Sequence, residues 1–220
     1  MKRIVIAAAA AILLVGFAFG GYHTYQKREL RAQVTELVQA ASGQLNEALP
    51  VDVNAPAAGQ DKRLDIAVTQ AEAGLKQLRA LAAQRDPALV EVADPYVASV
   101  LEVLRRQAAA TRHRARFSED RTLLEEHMAR VGTRSEGWFA EAIQLRKRLD
   151  QDHYDYQLSV TSLGNLLSGL VGARRKLAER LPAVPLPEEA AITKARERTL
   201  AAASAAKQEL EQAKRLVSPG

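Results

Sequence analysis

Apolar positions along this chain follow two different patterns. From Ile4 to Gly21 they run without a single charge, and from Leu30 onward they recur at helical spacing. Leu30, Val34, Leu37, Ala41, Leu45 and Ala48 step 4, 3, 4, 4 and 3, which predicts a helix that ends at Leu49 because Pro50 follows. Residues 50–60, "PVDVNAPAAGQ", hold two prolines and a glycine and read as a linker. Asp61 is positioned to cap the next helix. There Leu64, Val68, Ala71, Leu75, Leu78 and Ala82 step 4, 3, 4, 3 and 4, the 3.5-residue period of a coiled-coil seam.

"RDP" at 85–87 and "ADP" at 93–95 each predict a break with a restart at the proline. Val97, Leu101, Leu104, Ala108 and Thr111 then continue an apolar face, and Ser118 caps a short helix through Val131. Thr133-x-x-Glu136 has the form of a capping box and opens the longest helix, to about Leu181. Trp138, Ala142, Leu145 and Leu149 form one seam of it. Tyr156, Val160, Leu163, Leu167, Leu170, Leu177 and Leu181 form another, with a phase slip near Asp152. At 1.5 Å per residue such a helix spans about 72 Å, which requires an elongated bundle or a kink near Gly164. "LPAVPLP" at 181–187 stops it, and Pro187-Glu188-Glu189 starts the last helix, lined by Leu200, Ala203, Ala206, Leu210, Ala213 and Val217. No strand pattern occurs. The expected fold class is all-α, an N-terminal transmembrane or signal helix followed by an elongated antiparallel helical bundle with coiled-coil-like seams. Its parts are a membrane anchor or signal peptide over 1–25, a stalk helix over 26–49, a linker over 50–60 and the bundle over 61–217.

The first pattern decides the compartment. Ile4, Leu13, Leu14, Phe17 and Phe19, with the other large apolar residues of the run, make insertion favourable by about −3 to −5 kcal/mol on the insertion scale. Tyr22 and Tyr25 stand where an aromatic belt lies, followed by Lys27, Arg28 and Arg31 at headgroup level. No helix breaker separates this run from the amphipathic sequence after it. These features define a retained anchor. Ala18-Phe19-Gly20 offers the small-x-small site of a cleaved signal peptide as the alternative.

Composition narrows the chemistry further. The 220 residues include 31 Lys and Arg against 26 Asp and Glu, a net +5 with both signs interspersed, so no basic face marks a nucleic-acid binder. There is no cysteine, which removes disulfides, thiolate metal sites and a lipid-modified N-terminal cysteine. No catalytic motif, cofactor loop or complete metal-ligand set occurs, and the chain is not expected to be an enzyme or to carry a cofactor. In "RLDQDHYDYQ", Asp150 and His153 share a helix face with Tyr156 nearby, two groups where a metal needs three or four. Arg112, Arg114 and Arg116 lie in a basic stretch suited to an acidic partner or lipid, or to pairing with Glu119, Glu125 and Glu126 close by. Trp138, the one tryptophan, either anchors a partner or closes the end of a bundle. Gly164, Ser168 and Gly172, at four-residue steps, predict close approach of another helix.

The function expected from these features is a membrane-tethered extracytoplasmic scaffold. It sits in a bacterial inner membrane by a single pass, with its bulk in the periplasm, and binds envelope proteins or a second copy of itself through helix faces. The alternatives are a small-ligand-binding sensory bundle working with a partner, or a soluble periplasmic or secreted protein after signal cleavage. In general plan the chain resembles the extracytoplasmic four-helix bundles of bacterial receptors, without the second membrane span that such receptors have.

Overall fold

A computed structural model of the chain describes residues 2–82, 87–130 and 136–217, with side chains described over 25–81, 88–130 and 137–216. Five helices make up the described part: α1 (Lys2–Ala48), α2 (Gln60–Ala82), α3 (Pro87–Ala129), α4 (Glu136–Arg180) and α5 (Glu189–Val217). No strand occurs among the described residues. The all-α expectation therefore holds.

Consecutive helices run antiparallel, and contacts distant in sequence fix their levels. On α2 and α3, Arg79 meets Asp94, Glu72 meets Arg105 and Asp65 meets Arg112. Ser42 of α1 bonds Tyr96 of α3 at 2.8 Å, and the Gln107 amide donates to the Ala48 carbonyl, so α1 runs parallel to α3. Phe117 packs on His153 and His127 on Trp138, which sets α4 antiparallel to α3 along most of its length. Lys214 pairs with Asp150, and Leu200 packs on Gly164, which places α5 beside α4. The long α3–α4 pair is thus a spine. Helices α1 and α2 cover α3 along most of its length, and α5 lies along α4 from Arg174 and Arg175 back to Asp150, at much the same levels.

The seams expected on α4 are all buried, from Trp138 through Leu181. On α1 the buried side chains are Leu30, Val34, Val38, Ala41, Leu45 and Ala48; Val38 replaces Leu37, which lies only partly buried at the rim. Leu30–Leu49, expected as a stalk, packs against α2 and α3. On α5 the inner face is Ile192, Ala195, Thr199, Ala202, Ala206, Leu210 and Ala213, with Leu200 largely exposed. The mostly alanine face buries little area per residue, so this helix relies on polar clamps described below.

Two expected breaks are absent. Helix α3 passes through Pro95 and through Ser118 without interruption. Pro95 deprives the Glu91 carbonyl of its usual donor, but Ala93, Tyr96 and Val97 around it are fully buried, and packing outweighs the lost bond. Helix α2 starts at Gln60 rather than after an Asp61 cap. Gly59, at φ 74°, makes the turn into it, a conformation that costs glycine nothing. Thr133, an expected cap, lies outside the described residues, whereas Pro87 and Glu136 open α3 and α4 as expected.

The anchor expectation concerns residues whose side chains are not described: Ile4, Leu13, Leu14, Phe17, Phe19 and Tyr22 fall outside, and Tyr25 is exposed. Among the described residues no helix is long and apolar enough to cross a membrane. The expected continuity is observed, since the backbone of α1 is one helix from Lys2 to Ala48.

Candidate interaction faces and the polar clamp

Arg114 is the centre of a largely buried polar cluster. It faces inward because α3 is covered at this level by α4, α5 and the α1–α2 linker. Its Nε donates to the Asn54 carbonyl at 2.7 Å, and Nη1 and Nη2 donate to the two carboxylate oxygens of Glu209, each at 2.9 Å. Arg121, two turns on, donates to the same carboxylate at 2.7 Å. The guanidinium lies over the rings of Phe117 and Tyr156, at 5.4 and 5.9 Å, where the ring quadrupoles favour a cation. The Tyr156 hydroxyl donates to the Val53 carbonyl at 3.1 Å, and burial pushes its phenol far above the ordinary range. Arg198 of α5 reaches the carbonyls of Leu49 and Pro50. The linker, which has no ladder of its own, thus sends its carbonyls to side chains from α3, α4 and α5.

The basic stretch is therefore not one surface. Arg112 pairs with Asp65 on α2, and Arg114 pairs with Glu209 on α5. Arg116 is exposed and forms no ion pair among the described residues. None of the partners expected nearby, Glu119, Glu125 and Glu126, pairs with these arginines among the described residues, and Glu125 pairs with Arg121 instead.

Asp150 and His153 do not converge on a common point. Asp150 takes the Lys214 ammonium at 3.0 Å, while His153 packs against Phe117 and lies 3.4 Å from the Gln157 amide. Burial, reinforced by Lys214, lowers the His153 pKa. Among the described residues no group of three or more His, Cys, Asp or Glu is placed to hold a metal ion. Asp120 of α3 meets Asp152 of α4 at the phase slip. Burial first, and then the hydrogen bond and like charge of Asp152, raise the Asp120 pKa.

Trp138 closes the α3–α4 end. Its ring stacks on His127 at 4.9 Å, its Nε1 donates to the His127 carbonyl at 3.3 Å, and the His127 Nε2 lies 3.0 Å from the Trp138 carbonyl. Phe139 packs edge-on against it and is 52% exposed. Of the small residues expected to admit a helix, Gly164 meets Leu200 of α5 at the position of a Cβ, whereas Gly172 has nothing within 4 Å and Ser168 is exposed.

Outward faces remain. Phe139, Ile143, Tyr154 and Leu158 leave more than half of their surface exposed on α4. Between α1 and α2 runs a groove enclosing about 730 Å³, walled by Leu37, Ala40, Ala73, Gly74 and Leu81 and edged by glutamines. It continues past Gln44 into a smaller hollow at Glu47, Gln60 and Arg63. These glutamine and alanine positions are not marked by hydrophobicity, and sequence reading passed over them. Compared with known proteins, the chain matches no protein-family model, no curated protein and no solved structure.

Proposed function

We propose that the chain is a membrane-tethered extracytoplasmic interaction protein, a helical bundle held at a bilayer by α1 that presents its outer helix faces to protein partners. The continuity of α1 carries this reading. One helix joins the uncharged run Ile4–Gly21 to a segment packed into the bundle from Leu30 onward. That run is about 27 Å long at 1.5 Å per residue and needs an apolar surrounding, which the hydrocarbon of a bilayer supplies. Lys27 and Arg28 are exposed between the run and the first buried residue, Leu30, and Arg31 is exposed just after it, where headgroups favour cations. The exposed apolar residues of α4 and the α1–α2 groove support the second half of the proposal.

The test is the intact mass of the chain purified from separated membrane and soluble fractions, with protease added to spheroplasts. Full-length protein in the membrane fraction, degraded only when protease reaches the extracytoplasmic side, is the expected result. A chain beginning after Gly20 in the soluble fraction would replace the tether with a secreted protein. An intact chain in the cytosol would end the proposal.

A further inference from the structure

We infer that the α1–α2 groove is the site at which a second copy of this chain docks, side by side and in parallel. The residues lining the groove form a heptad seam of their own beside the core, exposed at Gln33, Ala40, Gln70 and Gln77 and partly packed on the core at Leu37, Ala67 and Leu81. On α1, Gln33, Leu37, Ala40, Gln44 and Glu47 step 4, 3, 4 and 3. On α2, Arg63, Ala67, Gln70, Gly74, Gln77 and Leu81 step 4, 3, 4, 3 and 4. Two helices that already bury one seam against α3 therefore offer a second, the arrangement of a helix inside a larger coiled coil. Its small residues allow another pair of helices to approach to about 8–10 Å between axes.

The partner follows from symmetry and charge. Gln44 bonds Gln70 at 3.1 Å and Leu37 lies against Gly74, so these pairs share a level. Two copies tethered in one membrane stand parallel, and this choice of orientation rests on the proposed function. A two-fold axis along the bundle then lays α1 of one copy over α2 of the other at the same level. Leu37 enters the hole around Gly74, and Gln44 meets Gln70 of the other copy. Glu47 comes within reach of Arg63, twice over. Neither Glu47 nor Arg63 has an ion-pair partner among the described residues, and both are exposed. Polar residues at seam positions fix register and partner at some cost in strength.

The experiment is the mass of the full-length chain in nanodiscs or mild detergent, by light scattering at low salt. The wild-type chain is expected at twice 24.0 kDa. Glu47→Arg alone and Arg63→Glu alone each place like charges at both crossings and are expected to weaken the dimer tenfold or more, to monomers at micromolar concentration. An equimolar mixture of the two variants restores opposite charges at both crossings and is expected to return to the dimer. Pairing within one chain cannot produce that rescue. Far-UV circular dichroism checks folding, and both changes agree with the helix dipoles at their ends, so a purely structural role predicts no loss. A monomeric wild type, variants that stay dimeric, or a mixture that stays monomeric overturns the inference. Recovery of a chain lacking its N-terminal segment would remove the tether reading yet leave the same masses to decide the groove.

Discussion

Replacing Arg114 with methionine keeps most of the side chain's bulk while removing its charge and three donors. The wild-type side chain is 10% exposed and Glu209 20%, so the pair is largely withdrawn from water. Losing one partner of a buried pair costs about 3–5 kcal/mol when the other is left alone. Glu209 still has Arg121 at 2.7 Å, which argues for the lower end. The Asn54 carbonyl also loses its donor, at about 1 kcal/mol or more. The expected total is about 3 kcal/mol, which for a chain of this size lowers Tm by roughly 6–12 °C. Glu209→Gln leaves the guanidinium its bond to Asn54 and its two rings, and costs about 1–2 kcal/mol. The double variant Arg114→Met/Glu209→Gln leaves no buried charge of this pair unpaired and falls short of the summed single losses by about 2 kcal/mol. Urea unfolding of the full chain followed by far-UV circular dichroism measures all three. Limited proteolysis adds a local reading, because Arg114→Met frees the carbonyl that holds residues 50–58, and cleavage there should accelerate. A loss below about 1 kcal/mol, or single costs that simply add, would refute the view that this cluster fastens the linker to α3 and α5.

Other substitutions test other parts of the fold. Tyr156→Phe removes only the bond to the Val53 carbonyl and should cost about 1 kcal/mol by the same unfolding measurement. Gly172→Ala should stabilise by about 0.5–1 kcal/mol, since the helix gains a residue of better propensity and the new Cβ meets nothing within 4 Å. A loss there would mean that a partner packs on this glycine. Asp120→Asn should raise Tm at pH 7 and leave it nearly unchanged at pH 4 and below. A carboxyl whose folded pKa is raised lends stability that is present at low pH and lost as pH rises through that pKa, and the amide removes the titration. Melts of both proteins across pH 4–7 check the sign, and a Tm gap that widens toward acid would contradict it.

Much of the architecture was readable before the structure. The seams of α4 follow from leucines and aromatics at steps of three and four, and each of those residues is buried. The starts of α3 and α4 and the stop at "LPAVPLP" follow from proline and capping chemistry, which acts within a turn. Where the reading failed, a longer-range force won. Pro95 and Ser118 carry local signals for a boundary, but α3 is packed by other helices along its length, and the burial of Tyr96, Val97 and Phe117 keeps it helical through both. The site was less readable. Arg114 stood out by composition, but its partners lie 60 and 95 residues away, at Asn54 and Glu209. The groove seam of glutamine and alanine has a heptad period without the hydrophobicity that draws attention to one.

The sequence by itself determined that this protein is helical, where most of its helices begin and end, which face of α4 turns inward, and that Ile4–Gly21 carries no charge. Those properties come from backbone sterics, capping and side-chain periodicity, all of which act over a few residues. Only the tertiary structure decided that Arg114 is a buried clamp while Arg116 is exposed, that Gly164 admits Leu200 while Gly172 faces open space, and that an open groove runs between α1 and α2. Each of these depends on which helices meet and at what level, a matter set by the packing of the whole bundle rather than by any one stretch of chain.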